Sequence, residues 1–418
     1  MNEEQTINQL PKDWKSQKMG TIFTIERGGS PRPIEDFITE ESNGINWIKI
    51  GDTKGVVKYI YKTKEKIKPA GASRSRMVYE DDFILSNSMS FGKPFIMKTT
   101  GCIHDGWLVI RKNENIDNNF LYYILSSPVV FQQFTKLAKG STVKNLNIEA
   151  VKQVELGIPP KSTQQAIVSK IEELFSELDK GIENLRTAQQ QLKIYRQSVL
   201  KWAFEGKLTN ENVKEGELPK GWKIKSIGDI FEVFIGSTPK RNVSEYWHGD
   251  INWVSSGEIA FCNITSTKEK ITKEGLEKTS CKVHPIGTVI IAMIGEGKTR
   301  GQAAILKIEA SHNQNTAAIR VDNNLYKSEL LYYYLFLKYE DNRKVGSGNN
   351  QKALNKERVK SIPIPLPPIT EQNTIVQEIE SRLSVADKME ESITQSLQQA
   401  EALRQSILKK AFEGKLIL

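Results

Sequence analysis

Residues 54–76 hold eight basic side chains (Lys54, Lys58, Lys62, Lys64, Lys66, Lys68, Arg74 and Arg76) against one acid, Glu65. Tyr59 and Tyr61 interleave with them. Lysine and arginine at this density can neutralise a run of phosphates, in binding that weakens steeply with salt. Lys64, Lys66, Lys68, Arg74 and Arg76 are expected nearest such a polyanion. A wet Lys-rich face would give the same pattern, and the residues alone leave both open. Reading bases requires arginine, lysine, asparagine or glutamine on loops, because these match the donor and acceptor edges of the major groove. Early in the chain the candidates are Arg32, Arg74, Arg76, Asn87 and Lys93, with Ser86 and Ser88. Later they are Lys240, Arg241, Lys298, Arg300, Asn313, Gln314 and Asn315, with His312. Two Gly-led polar segments, 140–145 with Lys144 and 348–352 with Lys352, look alike. Backbone N–H groups beside a lysine would hold a phosphate there without reading sequence. A plain turn before a strand fits those segments equally.

Catalytic patterns are missing. Gly297, Lys298 and Thr299 end like a phosphate loop, but Ala292 stands where its first glycine should be. The Pro pairs 159–160 and 367–368 follow Ile158 and Leu366, which is no Asn/Asp-Pro-Pro-aromatic motif of an amino-methyltransferase. The four histidines, His104, His248, His284 and His312, are dispersed and form no zinc pattern. No serine sits in a G-x-S-x-G elbow. Such a chain is expected to bind rather than react, and to hold no metal or cofactor itself. Its formal net charge of +9 suits a polyanionic partner but is common among other proteins. No apolar run approaches the ~18 residues of a membrane span. An acidic, polar start and three scattered cysteines (Cys102, Cys262, Cys281) point to a reducing cytoplasm and no secretory signal.

What must position these residues is a frame that occurs twice. Residues 162–208 read as one long helix. Ile171, Leu178, Leu185, Leu192 and Val199 fall every seven residues, and Leu174, Ala188, Tyr195 and Trp202 fill the seam around a gap at Gly181. Residues 370–416 repeat it 208 positions later, RQSVLKWAFEGKL becoming RQSILKKAFEGKL. The second seam is Ile379, Ala386, Ile393, Ala400 and Ile407, supported by Leu383, Met389, Leu397 and Leu403. Ser162 and Thr370, after the Pro pairs, are the expected N-caps. The same offset joins Trp14 to Trp222, Gly20 to Gly228, Phe23 to Phe231 and Pro31 to Pro239; these aromatics are assigned to core.

Between the anchors the halves diverge. Short β-rich runs, such as 83–85, 95–97 and 107–110 in the first half and 251–254, 288–294, 303–308 and 316–321 in the second, predict strands. Segments 119–125 and 329–337, each with Leu-Tyr-Tyr, predict helices. The fold class is α+β, in two internally repeated halves, each a sheet-containing globule followed by a long helix. The expected division is a globule at 1–157, a helix at 158–208, a linker at 209–218, a globule at 219–365 and a helix at 366–418. Variable globules on a shared frame suggest one task performed on two targets.

Taken together, the W-x5-G openings (Trp14/Gly20, Trp222/Gly228), the G-x-[ST]-P loops (28–31, 236–239), the P-P-x3-Q motif (Pro159, Pro160, Gln164; Pro367, Pro368, Gln372) and the A-F-x-G-K-L exits resemble the specificity subunit of type I restriction–modification enzymes. The resemblance covers nearly the whole chain. It implies two target-recognition domains that each read half of a bipartite DNA site, on two helices paired as an antiparallel coiled coil that sets their separation. It implies as partners double-stranded DNA, two methyltransferase subunits using S-adenosylmethionine, and two motor–nuclease subunits using ATP and Mg. It implies no catalytic residue in this chain, and it does not fix which residues touch bases. The rival reading is a duplicated coiled-coil scaffold whose globules bind proteins or glycans.

Overall fold

A computed structural model describes residues 10–87, 91–111, 113–138, 145–210, 212–214, 216–295, 297–344 and 354–417. The chain forms two compact units, one of residues 1–186 with 394–418 and one of residues 187–393. Each half's helix therefore starts in its own unit, and its last turns belong to the other.

In the first unit one five-stranded sheet runs Thr24–Arg27, Trp107–Arg111, Phe83–Ser86, Pro94–Met97, Tyr59–Ile60. Its middle strands read as continuous apolar runs because both faces are covered. Phe83, Leu85, Leu108 and Ile110 face a core built with helices Asn118–Leu125 and Pro128–Leu137, Ile167 and Ile171, and Ile407 to Phe412. Ile84, Trp107 and Val109 face the opposite way, onto Ile48, Val78 and Ile103 of a second sheet. That sheet runs Ile38–Thr39, Glu65–Ile67, Ile45–Ile48, Gly101–Ile103, Arg76–Val78. A ribbon of Lys15–Lys18 against Glu155–Ile158 joins the two ends of the globule.

The second unit repeats this plan. Its five-stranded sheet runs Glu232–Ile235, Thr316–Arg320, Val289–Ala292, Ala303–Leu306, Cys262–Ile264. Its smaller sheet runs Glu269–Ile271, Trp247–Val254, Ser311–His312, and the ribbon is Lys223–Ser226 with Pro363–Leu366. The expected strands and helices lie within a few residues of those observed. A strand before each Pro pair was expected, but its pairing into a ribbon with Lys15–Lys18 or Lys223–Ser226 and the helix Pro128–Leu137 were not anticipated.

The long helices are Lys161–Phe204 and Ile369–Phe412, 44 residues each. Each starts before the expected N-cap: the Pro160 carbonyl accepts from Gln164 N and the Pro368 carbonyl from Gln372 N, so proline precedes the first turn. The buried glutamine of P-P-x3-Q then ties helix to globule. Gln164 Oε1 accepts from Asp117 N at 2.9 Å while its Nε2 donates to the Pro159 carbonyl. Gln372 does the same for Lys327 N and the Pro367 carbonyl. The exits are Schellman caps, which require a residue in the left-handed region. Gly206 (φ 74°) and Gly414 (φ 72°) supply it, with Lys207 N bonding the Trp202 carbonyl and Lys415 N that of Lys410.

Within the second unit Arg196 bridges Asp387 and Glu390, and Thr209, just past the helix, meets Glu371. Within the first unit Arg404, the repeat mate of Arg196, pairs with Asp179 and lies 4.4 Å over the Phe175 ring. In the second unit the order of these contacts, Arg196 with Asp387 and Thr209 with Glu371, makes the local pairing antiparallel. The expected seam is partly wrong: Trp202, Met389 and Leu403 are 39, 53 and 51% exposed. Near the exit the buried face passes to Ala203 and Phe204, because there the helix packs on a globule, with Phe204 4.9 Å from Tyr334.

Candidate nucleic-acid interface

In each unit a G-x-[ST]-P loop, a strand-end turn and a hairpin base converge. In the first unit a Cβ on Gly28 would collide with the His104 carbonyl oxygen, so only glycine lets the loop lie against this turn. Gly28 N donates to Trp107 O at 2.9 Å and Gly29 N to Ile103 O at 3.1 Å. Asp105 organises the rest. Ser30 Oγ donates to its carboxylate at 2.7 Å, Arg27 Nε and Asn87 Nδ2 donate to its carbonyl, and Arg32 reaches within 3.7 Å. The Ser30 hydrogen bond, ahead of other causes, holds the Asp105 carboxyl below its ordinary range.

The structure gathers Arg32, Arg74 and Asn87 here, and it separates them by accessibility. Arg32 is 81% exposed, whereas Asn87 is buried and wired through its backbone to Gly106 and Leu146. Arg74, whose carbonyl abuts Gly29, places its guanidinium 5.5 Å from the Phe37 ring. Arg76 is tied to Glu26 at 3.3 Å.

The basic run divides in the same way. Lys58 is enclosed by Tyr59, Tyr122 and Tyr123 and donates to Asn119 Oδ1 at 2.7 Å; burial pushes its pKa down. Lys68 donates to the Asp36 carbonyl. Lys66 sits on the strand Glu65–Ile67, and Lys64 beside it is exposed. Lys93 is exposed on the hairpin between Phe83–Ser86 and Pro94–Met97, at the rim of a cavity of about 880 Å³ that Lys54 also lines.

In the second unit a Cβ on Gly236 would collide with the carbonyl oxygens of His312 and Asn313. Ser237 N donates to His312 O at 2.9 Å, and Thr238 Oγ1 donates to Gln314 Oε1. Asn313 is buried, its Oδ1 accepting from Asn315 N, and Asn315 O accepts from Met293 N at the hairpin base. Lys240 is exposed. Arg241 stacks 4.0 Å from the Trp247 ring and pairs with Glu269, which raises the arginine pKa and lowers the carboxyl. Lys298 is exposed on the hairpin, and Arg300 Nη2 donates to the Arg343 carbonyl at 3.0 Å. Lys144, Lys352 and Ser88 lie outside the described residues. Leu146 N bonds to Asn87 O and Leu354 N to Met293 O.

Sequence reasoning missed two equivalences. His104 and His312 stand 208 residues apart, the offset of the repeat, and both lie under the loop. Glu65–Ile67 and Glu269–Ile271 are the same three residues, Glu-Lys-Ile, on matching strands, where Glu65 pairs with Lys49 and Glu269 with Arg241. The fixed offset could have revealed the first pair. The second is hidden by loops of different length.

Residues 11–186 and 219–401 match the type I restriction modification DNA specificity domain. The chain belongs to this family. Over 443 aligned positions, 99% of this chain and 89% of the relative, it is 26% identical to the specificity subunit of the type I restriction enzyme EcoBI of Escherichia coli. Its fold is similar to a chain in a solved structure of type I R-M complex assembly and conformational transition, with TM-score 0.74 and 20% identity, covering 97% of this chain and 99% of that one. It is also similar to the HsdS subunit from Thermoanaerobacter tengcongensis, with TM-score 0.64 and 19% identity, covering 99% of this chain and 100% of that one. At these identities the structures speak for the fold. Each family match spans a globule and more than half of its own long helix. Among the described residues no helix is long and apolar enough to cross a membrane, and no three His, Cys, Asp or Glu gather to hold a metal.

Proposed function

We propose that the chain is the DNA-binding specificity subunit of a type I restriction–modification complex, in which each unit reads one half of a bipartite duplex site. The observation that carries this reading is the family match over both repeats, together with one frame that presents different side chains: Arg32 and Asp105 beside the first loop, Thr238 and Gln314 beside the second. Phosphates fall to the exposed cations Lys64, Lys93, Lys240 and Lys298, and bases to groups at the loop and turn. The long helices set the spacing of the half-sites and dock methyltransferase subunits. Two of these subunits supply adenine methylation with S-adenosylmethionine, and two motor–nuclease subunits supply ATP- and Mg-dependent cleavage. This chain contributes no reacting group, and the complex works in the cytoplasm.

Replacing residues 219–365 by those of a relative tests the reading. Methylated positions mapped in cells carrying the exchanged chain with its methyltransferase partner should change in one half of the motif and persist in the other. Change in both halves would defeat the modular reading. Binding of random duplex that is equally tight at low and high salt would defeat the DNA reading and favour a protein or glycan scaffold.

A further inference from the structure

His312 is fully buried and belongs to a chain of hydrogen bonds with one possible proton order. Arg320 Nε lies 3.1 Å from His284 Nδ1, and arginine can only donate. His284 Nδ1 is therefore bare and its proton is on Nε2. That Nε2 lies 3.2 Å from His312 Nε2, which must accept. The His312 proton is then on Nδ1, 2.7 Å from Thr316 Oγ1. Thr316 passes its own hydroxyl proton to the Asn313 carbonyl at 2.8 Å. The chain ends in the turn whose His312 carbonyl holds Ser237 and whose Gln314 holds Thr238.

In the first unit His104 occupies the equivalent place with other partners. Its Nδ1 faces Gly106 N at 2.6 Å and its Nε2 faces Ile50 N at 3.2 Å, two N–H donors of which a neutral ring accepts one, while its carbonyl abuts Gly28. A metal between His284 and His312 is disfavoured, because the groups that face the pair and shift it are Arg320 and Lys282, both cationic. Burial keeps both imidazoles neutral, pushing His284 to about 3 and His312 to about 4.

We propose that His104 and His312 are positioning residues for target recognition. Each fixes the loop and turn of its own unit, and His312 does so through the ordered relay from Arg320 through His284 to Thr316. The proposal rests on the reading that these loops face DNA.

The full-length chain can be tested on duplexes that carry the mapped site with either half scrambled. His284→Phe, His312→Phe and Thr316→Val should each lose roughly tenfold or more of the discrimination at the second half-site and keep that at the first. His104→Phe should do the reverse, so the untouched half-site reports folding in every variant. His312→Asn, whose amide can still donate to Thr316, should recover part of what His312→Phe loses. In wild-type chain labelled with ¹⁵N-histidine, His284 should show the Nε2–H form and His312 the Nδ1–H form, unchanged from pH 5 to 8. The opposite tautomers, a titration near pH 6.5, or shifts released by a chelator would overturn the relay. Discrimination retained in the variants, or lost at both halves while unfolding stays cooperative, would overturn the positioning role. A wild-type chain that binds random duplex as tightly as the site would overturn the DNA reading itself, and this proposal with it.

Discussion

Lys58 and Lys64 belong to one basic run and do different work. Lys58 holds three tyrosine rings and an asparagine together, while Lys64 faces solvent. Lys64→Ala should flatten the salt dependence of DNA binding by about one unit, and Lys58→Ala should leave that slope alone while lowering the thermal midpoint. Filter binding across a salt series, with a melting curve for each variant, separates the two. The run itself was legible in the sequence. The closure of Lys58 was not, because Tyr122 and Tyr123 come from a helix far along the chain. Histidine gives a second residue-level expectation. In the unfolded chain His284 and His312 take up protons near 6.5, but in the folded unit only near about 3 and about 4. Below about pH 6.5 the unfolded state binds more protons, so this pair contributes a loss of stability as pH falls toward those values. Amide exchange of strand Thr316–Arg320 should quicken between pH 7 and 5, after correction for intrinsic rates, by less in His284→Phe than in wild type.

At the scale of elements, the helices were legible because seven-residue spacing and a repeated Gly-Lys-Leu exit leave few alternatives. The spacing misplaced Trp202 and Leu403, since it describes a helix against a helix and not the turns that meet a globule; the exposure of Met389, mid-helix, has no such explanation. The role of Gln164 and Gln372 was visible only as a motif. Replacing either by alanine strands the half-buried N–H of Asp117 or Lys327, at a cost of about 1 kcal/mol that denaturant unfolding of its unit should register. Helix length carries a further prediction. Four residues inserted after Gln190 lengthen the first helix by about 6 Å and overshoot a full turn by only ~40°. The heptad seam tolerates such a stutter. The methylated motif of the variant should keep both half-sequences and gain one or two unread base pairs between them. An unchanged spacer at full activity would show that the helices do not measure the distance.

At the scale of the whole chain, the three central strands of each five-stranded sheet and the helices Asn118–Leu125 and Ser328–Leu337 were foreseeable from β-rich runs and the repeated Leu-Tyr-Tyr. The loop–turn sites were foreseeable only as residue types, because the chain returns to them from segments whose lengths differ between halves. Each unit is completed by the end of the other half's helix, and each exit is received in one way. A Cβ on Gly206 would strike Pro219, and one on Gly414 would strike Pro11. Leu208 and Leu218 are joined by a peptide stretch, while their counterparts Leu416 and Leu10, which pack on a single core, are not. The order of elements is thus cyclic, and the position of the ends is a matter of where the cycle is opened. A chain opened within 209–218, and closed from Leu416 to Leu10 by a copy of that stretch, should bind the same bipartite site with both halves in the same order. Such a permutant that folds yet loses one half-site would show that the two junctions are not equivalent.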